Sequence, residues 1–420
     1  MTRVVLTIVI AFVAATSRAG DSWPQFRGPD GQGHADAVGL PIPWGESENI
    51  AWKTALEGRG WSSPVIDRGV IWLTTALDDG HKLHAVQMDV RSGKILRDVH
   101  VFDVVEPQKV NAKNTYASPT PVLEGDRAWV HFGTYGTACL DSRSGEILWV
   151  NRDLKLDHKE GPGSTPILHG DLLFVNCDGT DVQYVAALDK YSGRLAWKAE
   201  RSAPTNPDPD LRKAYSTPLA VRVAGRTQIV SVGAHRASAY DAESGAELWF
   251  VDFEGFSNVP RPVFAAGLVV FDTGYMKPQL WAVRPEGSGN VTHSHVAWRA
   301  TAQVPANPSP VVVGKNLFMV SDQGVLTCLE VATGKELAKT RLGGNFSASP
   351  IAAEGRLYFF SEEGETIVLE ATQKMTELAR DKLDGRIMAS PAVAGNAIFL
   401  RTDTHLYRIE QKSTGNAAAR

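Results

Sequence analysis

The chain is poor in cysteine and has no large excess of charge of either sign. Only three cysteines occur among 420 residues, Cys139, Cys177 and Cys328, so they cannot all pair with one another and the fold cannot depend on a disulfide framework. Lys plus Arg number 43 against 47 for Asp plus Glu, which gives a net charge of −4. Bulk charge therefore recruits neither anionic lipid nor nucleic acid, and we expect no nucleic-acid partner.

Long apolar runs are also scarce. Residues 4–15 form an apolar stretch that follows Arg3 and precedes Ser17-Arg18-Ala19, an arrangement typical of a cleaved secretory signal. A run of about a dozen residues is short for a membrane-crossing helix, which disfavours a permanent anchor. We therefore expect a signal peptide over residues 1–19, a periplasmic or secreted protein, and no membrane span after cleavage.

Signatures of hydrolysis and of metal binding are missing as well. The sequence contains no Gly-x-Ser-x-Gly nucleophile turn. His293 and His295 would share one face of a strand and could chelate a metal ion, but no carboxylate or cysteine stands at a supporting spacing. An exposed polar strand is the favoured interpretation, so we expect no metal site and no catalytic residue.

What the chain does contain is one pattern repeated from residue 61 to its end. The typical unit starts with a small hydroxyl residue and a proline, continues through short apolar strands, and reaches an Asp-x-x-Ser/Thr-Gly turn that leads to tryptophan. Spacings of 40 to 55 residues fit a four-stranded propeller blade. The prolines that start the units are Pro64, Pro119, Pro166, Pro218, Pro262, Pro310, Pro350 and Pro391.

The third unit shows the pattern most clearly. After its proline, strands are predicted over residues 172–176, 182–188 and 194–198, with the turn at residues 189–193 before the last of them. In this turn the aspartate accepts backbone N–H groups, and glycine takes the positive φ that closes a bulged hairpin. We assign this structural role to Asp141, Asp189 and Asp241, and docking between neighbouring blades to Trp149, Trp197 and Trp249.

The last unit lacks a fourth strand, and a strand without a unit precedes the first. Residues 48–53 resemble that missing fourth strand, and pairing them with the last unit would close the ring. Units five and seven have irregular turns but keep their apolar strands. The sequence thus predicts an all-β, eight-bladed β-propeller over residues 48–410, with seven blades as the alternative, an N-terminal lid segment over 20–47 and a disordered tail over 411–420.

Residues 187–197 and 239–249 both fit the pattern Ala-x-Asp-x-x-Ser/Thr-Gly-x-x-x-Trp, with Tyr240 at the variable position. This resembles the tryptophan-docking repeat of the PQQ-like (pyrroloquinoline quinone repeat) β-propeller family, which includes quinoprotein alcohol dehydrogenase propellers and the outer-membrane protein assembly propeller. Residues 23–29 also look like the opening of such propellers, and we interpret Trp23 and Phe26 there as covering an apolar patch. The resemblance is specific for the fold and weak for activity.

The resemblance implies a cofactor only for its dehydrogenase branch. Those enzymes carry adjacent cysteines beside the quinone and hold calcium or a lanthanide through clustered oxygen ligands, with a carboxylate base. This chain has no Cys-Cys pair, and it also lacks the lipid-bearing cysteine of the assembly propeller. We expect a non-catalytic binding scaffold without a cofactor, and the alternatives are a dehydrogenase that uses PQQ with calcium on alcohols or sugars and an assembly factor that acts by strand addition at a blade edge.

Binding residues are expected around the axial channel, where the loops that precede the innermost strands gather. Aromatic rings, amides and cations at such an opening would suit a protein, peptide or carbohydrate bound by a monomer, although some of these side chains could pack between blades instead. The candidate ligand-binding residues on this channel face are Trp61, Lys113, Tyr116, Lys213, Tyr215, Arg261, Asn307 and Phe346.

Overall fold

The computed structural model describes residues 20–411, so the predicted signal peptide and residues 412–420 lie outside its described part. Within these residues the strands form eight separate sheets. The second and third strands of a blade are covered by neighbouring blades on both faces and are buried along almost their whole length, as in Leu172–Asp178, whereas the outer strand Leu195–Glu200 alternates between covered and exposed residues. The apolar core therefore lies between the blades.

Each blade runs antiparallel from a short innermost strand to an outer strand at the rim. The strands of blades 1 to 4, with the closing strand first, are β1 (Ile50–Ala55), β2 (Val65–Asp67), β3 (Val70–Leu77), β4 (Lys82–Asp89), β5 (Ile95–Asp103), β6 (Val122–Glu124), β7 (Arg127–His131), β8 (Thr137–Asp141), β9 (Ile147–Asn151), β10 (Ile167–His169), β11 (Leu172–Asp178), β12 (Gln183–Asp189), β13 (Leu195–Glu200), β14 (Leu219–Val223), β15 (Arg226–Val232), β16 (Arg236–Asp241) and β17 (Glu247–Asp252).

Blades 5 to 8 follow in the same order. Their strands are β18 (Val263–Ala265), β19 (Leu268–Asp272), β20 (Leu280–Val283), β21 (Gly289–Asn290), β22 (Val296–Ala300), β23 (Val311–Val313), β24 (Asn316–Val320), β25 (Val325–Glu330), β26 (Glu336–Arg341), β27 (Ile351–Ala353), β28 (Arg356–Phe360), β29 (Glu365–Glu370), β30 (Glu377–Lys382), β31 (Ala392–Ala394), β32 (Ala397–Arg401) and β33 (His405–Glu410). Single 3-10 turns lie at Asp78–Gly80, Gly133–Tyr135 and Pro209–Leu211.

The two ends of the propeller meet in one sheet. Blade 8 has the strand order β1-β33-β32-β31, and Ile50 lies opposite Ile409 while Thr54 lies opposite Leu406. The prediction of eight blades closed by both chain ends is confirmed.

The predicted start of the second unit is wrong by two residues. Strand β6 begins directly after Pro121, just as β2 begins directly after Pro64, so Pro121 rather than Pro119 is the equivalent proline. The sequence offers two successive hydroxyl-proline pairs here, and only the register of β6 with β7, in which Val122 lies opposite Trp129, distinguishes them.

The histidine pair of unit five also lies elsewhere than predicted. Residues 292–295 form a turn that precedes β22, so His293 and His295 do not share the face of a strand. The same excursion contributes β21, which pairs in parallel with β17 at Trp249 and Phe250 and adds a fifth strand to the sheet of blade 4.

Four indole rings contact the next blade in the same way. Each indole N–H donates to the carbonyl oxygen of the second residue in the next blade's glycine turn, and the ring covers the glycine itself. The four pairs are Trp52 with Val90 at 3.0 Å, Trp149 with Lys190 at 3.1 Å, Trp197 with Ala242 at 3.1 Å and Trp298 with Val331 at 3.0 Å. Trp249 differs, because blade 5 lacks this turn; its buried indole donates to Gln228 instead, at 2.8 Å.

Gly245 provides a test of this contact. Its φ is +73°, and a Cβ built there would lie 2.6 Å from ring atoms of Trp197. Gly225 in the same blade has a φ of +83° with no atom within 4 Å of such a Cβ. We expect Gly225→Ala to cost about 1 kcal/mol of unfolding free energy from backbone strain alone, and Gly245→Ala to cost about 1–3 kcal/mol more from overpacking. Urea titration of both variants checks this, and equal losses would contradict the contact.

The aspartates of the glycine turns should make the stability of the folded protein sensitive to acid. Oδ1 of Asp241 accepts the Ser244 N–H at 2.8 Å and the Ser244 hydroxyl at 2.6 Å, and Arg226 also contacts the carboxylate. These contacts, led by the Ser244 hydroxyl, lower the pKa of Asp241 to about 2. Because this folded-state pKa lies below the unfolded value of about 3.9, the stabilisation is present above about pH 4 and is lost as pH falls towards 2.

We therefore expect Asp241→Asn to be destabilising at pH 6 and clearly less destabilising at pH 2.5, where most of the stabilisation by the ionised carboxylate is lost. Urea titrations of wild type and variant at both pH values measure the difference. A difference that is the same at both pH values would contradict the role of the ionised carboxylate.

Candidate functional site

The connections around the blades divide the propeller into two faces. The segments that lead from an outer strand into the next innermost strand lie on one face, here called the mouth face, and the glycine turns lie on the opposite face, here called the floor face. A cavity of about 580 Å³ opens around the axis on the mouth face. This volume, which falls in the range of small-molecule sites, is called the cup below.

The N-terminal segment, residues 20–47, crosses the floor face. Trp23 exchanges backbone hydrogen bonds of 2.7 and 2.8 Å with Ile66 in blade 1, and the Ala352 N–H of blade 7 donates to the Gly33 carbonyl at 2.8 Å. The Phe264 N–H of blade 5 donates to Oε1 of Gln32 at 2.6 Å, so the segment reaches the innermost strands of the opposite blades 1 and 5 and spans the channel. The indole of Trp23 is buried, while Phe26 lines the bottom of the cup.

A circle of hydroxyl groups lines the lower wall of the cup. In seven blades the residue before the proline of the innermost strand is Ser or Thr, and Arg261 stands there in blade 5. Six of the seven hydroxyl oxygens accept a backbone N–H from the same position of the preceding blade, at 2.8 to 3.1 Å. This hydroxyl ring consists of Ser63, Thr120, Thr165, Thr217, Ser309, Ser349 and Ser390, all of which line the cup.

Five of the eight candidate residues lie together in the cup lining. They are Trp61, Lys113, Lys213, Tyr215 and Asn307. The structure brings these side chains together from the connections that enter blades 1, 2, 4 and 6.

Three candidates are placed elsewhere. Phe346 is fully buried in the apolar core with Phe318 and Phe359, so it cannot face the channel. The ring of Tyr116 packs against Gly80 and Tyr135. Arg261 lies beneath the cup with 2% of its surface exposed, under Phe26. In each case the side chain points away from the opening although its backbone stands near it.

The charged groups of the mouth are partly paired across the ring. Nζ of Lys113 lies 3.0 Å from Oε1 of Glu362, which comes from blade 7. Lys213 is buried, donates to the Asp210 carbonyl at 2.7 Å, and stays 3.9 Å from Oε1 of Glu160. The nearest partner of the Lys213 ammonium group is therefore a neutral carbonyl oxygen, and the Glu160 carboxylate lies further away.

Tyr215, in the wall of the cup, acts as a neutral hydrogen-bonding group. Its hydroxyl donates to the His158 carbonyl at 2.8 Å. Burial, followed by the nearby Glu160 carboxylate, raises the pKa of Tyr215 well above its usual range. The phenol stays protonated at physiological pH and offers a ring face rather than a base.

Several lining residues were not predicted from the sequence. Phe256 and Tyr275 form an edge-to-face aromatic pair with ring centres 5.9 Å apart, and their backbones are bridged. Further unpredicted lining residues include Phe26, Asn111, Glu160 and Met388. The hydroxyl ring did have a signal, the Ser or Thr before each proline, whereas the loop residues follow no repeat.

Among residues 20–411, no three His, Cys, Asp or Glu side chains are grouped so that they could hold a metal ion. Cys139, Cys177 and Cys328 are free and buried within the blades, as expected for small apolar residues. No helix in the described range has the length and apolar character needed to cross a membrane.

Comparison with known proteins agrees with this architecture. The family model described as outer membrane protein assembly factor BamB matches residues 136–216 and 181–418. The structure of BamB from Moraxella catarrhalis is 13% identical, with 86% of this chain and 99% of that chain covered and a TM-score of 0.57. Among curated proteins, no significant sequence match was found.

Two dehydrogenase structures are similarly close. The quinohemoprotein alcohol dehydrogenase ADHIIG from Pseudomonas putida HK5 is 11% identical over 93% of this chain and 80% of that chain, with a TM-score of 0.63. A europium-containing methanol dehydrogenase is 11% identical over 92% of this chain and 90% of that chain, with a TM-score of 0.54. Likeness at this identity shows the fold and not the activity. Because the family match spans more than half of the chain, this protein belongs to the PQQ-like propeller family described as outer membrane protein assembly factor BamB.

Proposed function

We propose that this protein is a non-catalytic, monomeric propeller of the periplasm or secreted space that binds a carbohydrate in the cup. The observation that carries the proposal is the lining itself, in which aromatic faces alternate with amides and hydroxyls around a cavity whose far end is crossed by the N-terminal segment. A cavity open on one face receives the end of a ligand and offers it no exit on the other side.

The aromatic part of the lining suits the apolar faces of sugar rings. Trp61, Tyr215 and Phe256 are half-buried, so each fixed ring still offers a surface to the cavity. The side-chain amides of Asn111 and Asn307 each use one N–H within the protein, towards Glu160 and Asp322, and have a second N–H for a sugar hydroxyl. Few precisely placed polar groups on a largely apolar wall are typical of small-ligand sites.

The lining does not fit PQQ with calcium, the cofactor pair that the dehydrogenase resemblance implies. Glu160, one of the carboxylates near the mouth, accepts from Asn111 at 2.9 Å and lies near Lys213, so its charge is already engaged. The buried cysteines are separated in different blades. Incubation with PQQ, calcium and alcohols, followed by dye reduction, tests the alternative, and sustained turnover would overturn the non-catalytic assignment.

A protein partner on the mouth face is the second candidate. Val259, Tyr275 and Met276 are exposed to 37%, 54% and 70% beside a second hollow of about 510 Å³ that adjoins the cup. Neighbouring apolar side chains at a rim are a feature of interaction surfaces. Met276→Asp would weaken a protein partner and leave sugar binding in the cup unchanged, which separates the two candidates in a pull-down and a sugar titration.

Trp61→Ala is the direct test of carbohydrate binding. A panel of neutral and acidic oligosaccharides is titrated by calorimetry, and the best ligand is carried over to the variant. We expect a loss of affinity of at least about tenfold, by analogy with the stacking of nucleic-acid bases on aromatic rings, which contributes on the order of 1–3 kcal/mol. Tyr191→Ala is the control, because Tyr191 is 52% exposed on a glycine turn of the floor face. Binding that survives in Trp61→Ala, or a panel without any ligand, would contradict the proposal.

A further inference from the structure

The hydroxyl ring holds protons that no described residue accepts. Each Ser or Thr hydroxyl has one proton to donate and lone pairs that accept. In six of the seven, a lone pair takes the N–H of the neighbouring blade, but within residues 20–411 none of the seven donates to another group. These residues are 2% to 6% exposed and line the cup, so their O–H groups remain for a ligand.

The backbone bonds make these hydroxyls better donors. An oxygen that accepts an N–H is polarised, and its own O–H then donates more strongly. A group that satisfies several such donors at once must carry many lone pairs and few protons. An ionised carboxylate has about four acceptor sites and no donor, and its bonds to O–H groups are short and strong.

The charge beneath the hydroxyl ring is positive, which complements a bound carboxylate. Arg261 occupies the one position of the ring that has no hydroxyl, and it donates to the carbonyls of Pro218 at 3.1 Å and Phe26 at 2.7 Å. Arg27 lies beside it, 1% exposed, and donates to the carbonyls of Gln32 and Pro310. Within the described chain neither guanidinium has an ion-pair partner within 4.0 Å.

Both guanidinium groups keep their charge. Burial lowers the pKa of Arg261 to about 10 and that of Arg27 to about 9, which leaves both protonated at neutral pH. Asp30 is the carboxylate that acts on both of them, and it is itself bonded to His34 at 2.6 Å. Two buried cations against one shared, half-exposed carboxylate give the bottom of the cup a positive potential.

We propose that the ligand of the cup is an acidic sugar of the uronic acid type, whose carboxylate is held by the hydroxyl ring above Arg261. This rests on the proposed function and specifies the ligand class of the same site. Glu160 does not oppose it, because this carboxylate stands in the connection at the mouth, where Asn111 and Lys213 contact it. The sugar rings would lie against the aromatic wall with the acidic group at the bottom.

Calorimetric titration with digalacturonate and with its methyl ester tests the anionic site. The two probes differ in charge and share the sugar rings. We expect the acid to bind at least about tenfold more tightly, because hydrogen bonds to a charged group are roughly twice as strong as neutral ones. Arg261→Ser, which completes the ring with an eighth hydroxyl and removes the charge, should reduce binding of the acid and leave that of the ester unchanged.

A second pair of variants isolates the hydroxyls. Thr165→Val keeps the shape and removes the hydroxyl, while Thr165→Ser keeps the hydroxyl, so only the former should weaken acid binding, by about tenfold. Circular dichroism confirms folding. If Thr165→Val fails to fold, Ser63→Ala serves instead, since the Ser63 hydroxyl accepts no backbone N–H within the described residues.

The outcomes separate the two proposals. Equal affinity for acid and ester would overturn the carboxylate site while carbohydrate binding stands. Failure of every sugar in the panel, with digalacturonate included, would overturn the proposed function. Binding of a peptide through its free C-terminal carboxylate, with an amidated control and digalacturonate both inactive, would overturn the assignment to sugars.

Discussion

Deleting the closing strand, residues 48–55, is expected to abolish the cooperative unfolding transition of the propeller. Without β1 the backbone of β33 has a free edge, and the indole of Trp52 no longer packs on Phe399, 6.0 Å away between ring centres, or covers Gly93. Blade 8 would lose its outer strand together with the indole contact of that strand on blade 1, and the bonds from Arg401 to Ser62 would remain between the two blades. The ring would then be only weakly closed, so the expected loss is that of the cooperative folded state.

A circular permutant is the control for this deletion. The chain is started at residue 56, and residues 20–55 are attached behind residue 411 through a flexible linker of about ten residues. Pairing of Ile50 with Ile409 is then possible again, and the antiparallel register is unchanged. We expect the permutant to unfold cooperatively in urea near the wild-type midpoint. A deletion variant that unfolds like wild type would show that closure through β1 does not hold the ring.

Arg201→Met is expected to destabilise the protein by about 3–5 kcal/mol, because it leaves the Asp178 carboxylate buried without a partner. The two side chains are 2% and 1% exposed, and Nη2 of Arg201 donates to Asp178 at 2.6 Å and to Ser231 of blade 4 at 2.7 Å. The pair lies behind the cup wall, since the Asp178 carbonyl accepts the N–H of Ala214, next to Lys213 and Tyr215.

The double variant Arg201→Met with Asp178→Leu tests the cause. Replacing a buried ion pair by apolar residues of similar volume is often close to neutral, so we expect most of the loss to be recovered. Urea titration measures the free energies of unfolding of the wild type, both single variants and the double variant. A double variant as unstable as Arg201→Met would mean that packing, and not an unpaired charge, accounts for the loss.

Closure of the ring could be predicted because it follows from counting the strands of each unit. The last unit lacks its fourth strand, and residues 48–53 supply one, so hydrogen-bond satisfaction favours joining them in one sheet. Blade 2 shows where such counting fails. Pro119 and Pro121 both follow a hydroxyl residue, and local sequence cannot decide which of them precedes the innermost strand.

The site was only partly predictable, for two physical reasons. A residue's place before a proline fixes its backbone near the opening but not the direction of its side chain, which is why Tyr116 and Phe346 turn into the core. Contacts between distant blades of the propeller also cannot be identified from the sequence. Lys113 and Glu362 stand 249 positions apart and meet only because eight blades bend the chain into a circle.

The hydroxyl ring could be predicted in part. Its members other than Thr120 were recognised at the starts of the units, yet the pattern alone does not say that they face the axis or that six of the seven accept the N–H of the preceding blade. That arrangement appears once the innermost strands are set side by side. Arg261 then stands out as the one ring position without a hydroxyl.

The most direct test of ligand binding in the cup is a crystal structure of the protein with the tightest-binding oligosaccharide of the panel. We expect the sugar in the cup, with a ring against Trp61 or Tyr215 and an acidic group at the hydroxyl ring. A sugar bound at a blade rim or on the floor face, with the cup left to solvent, would contradict it.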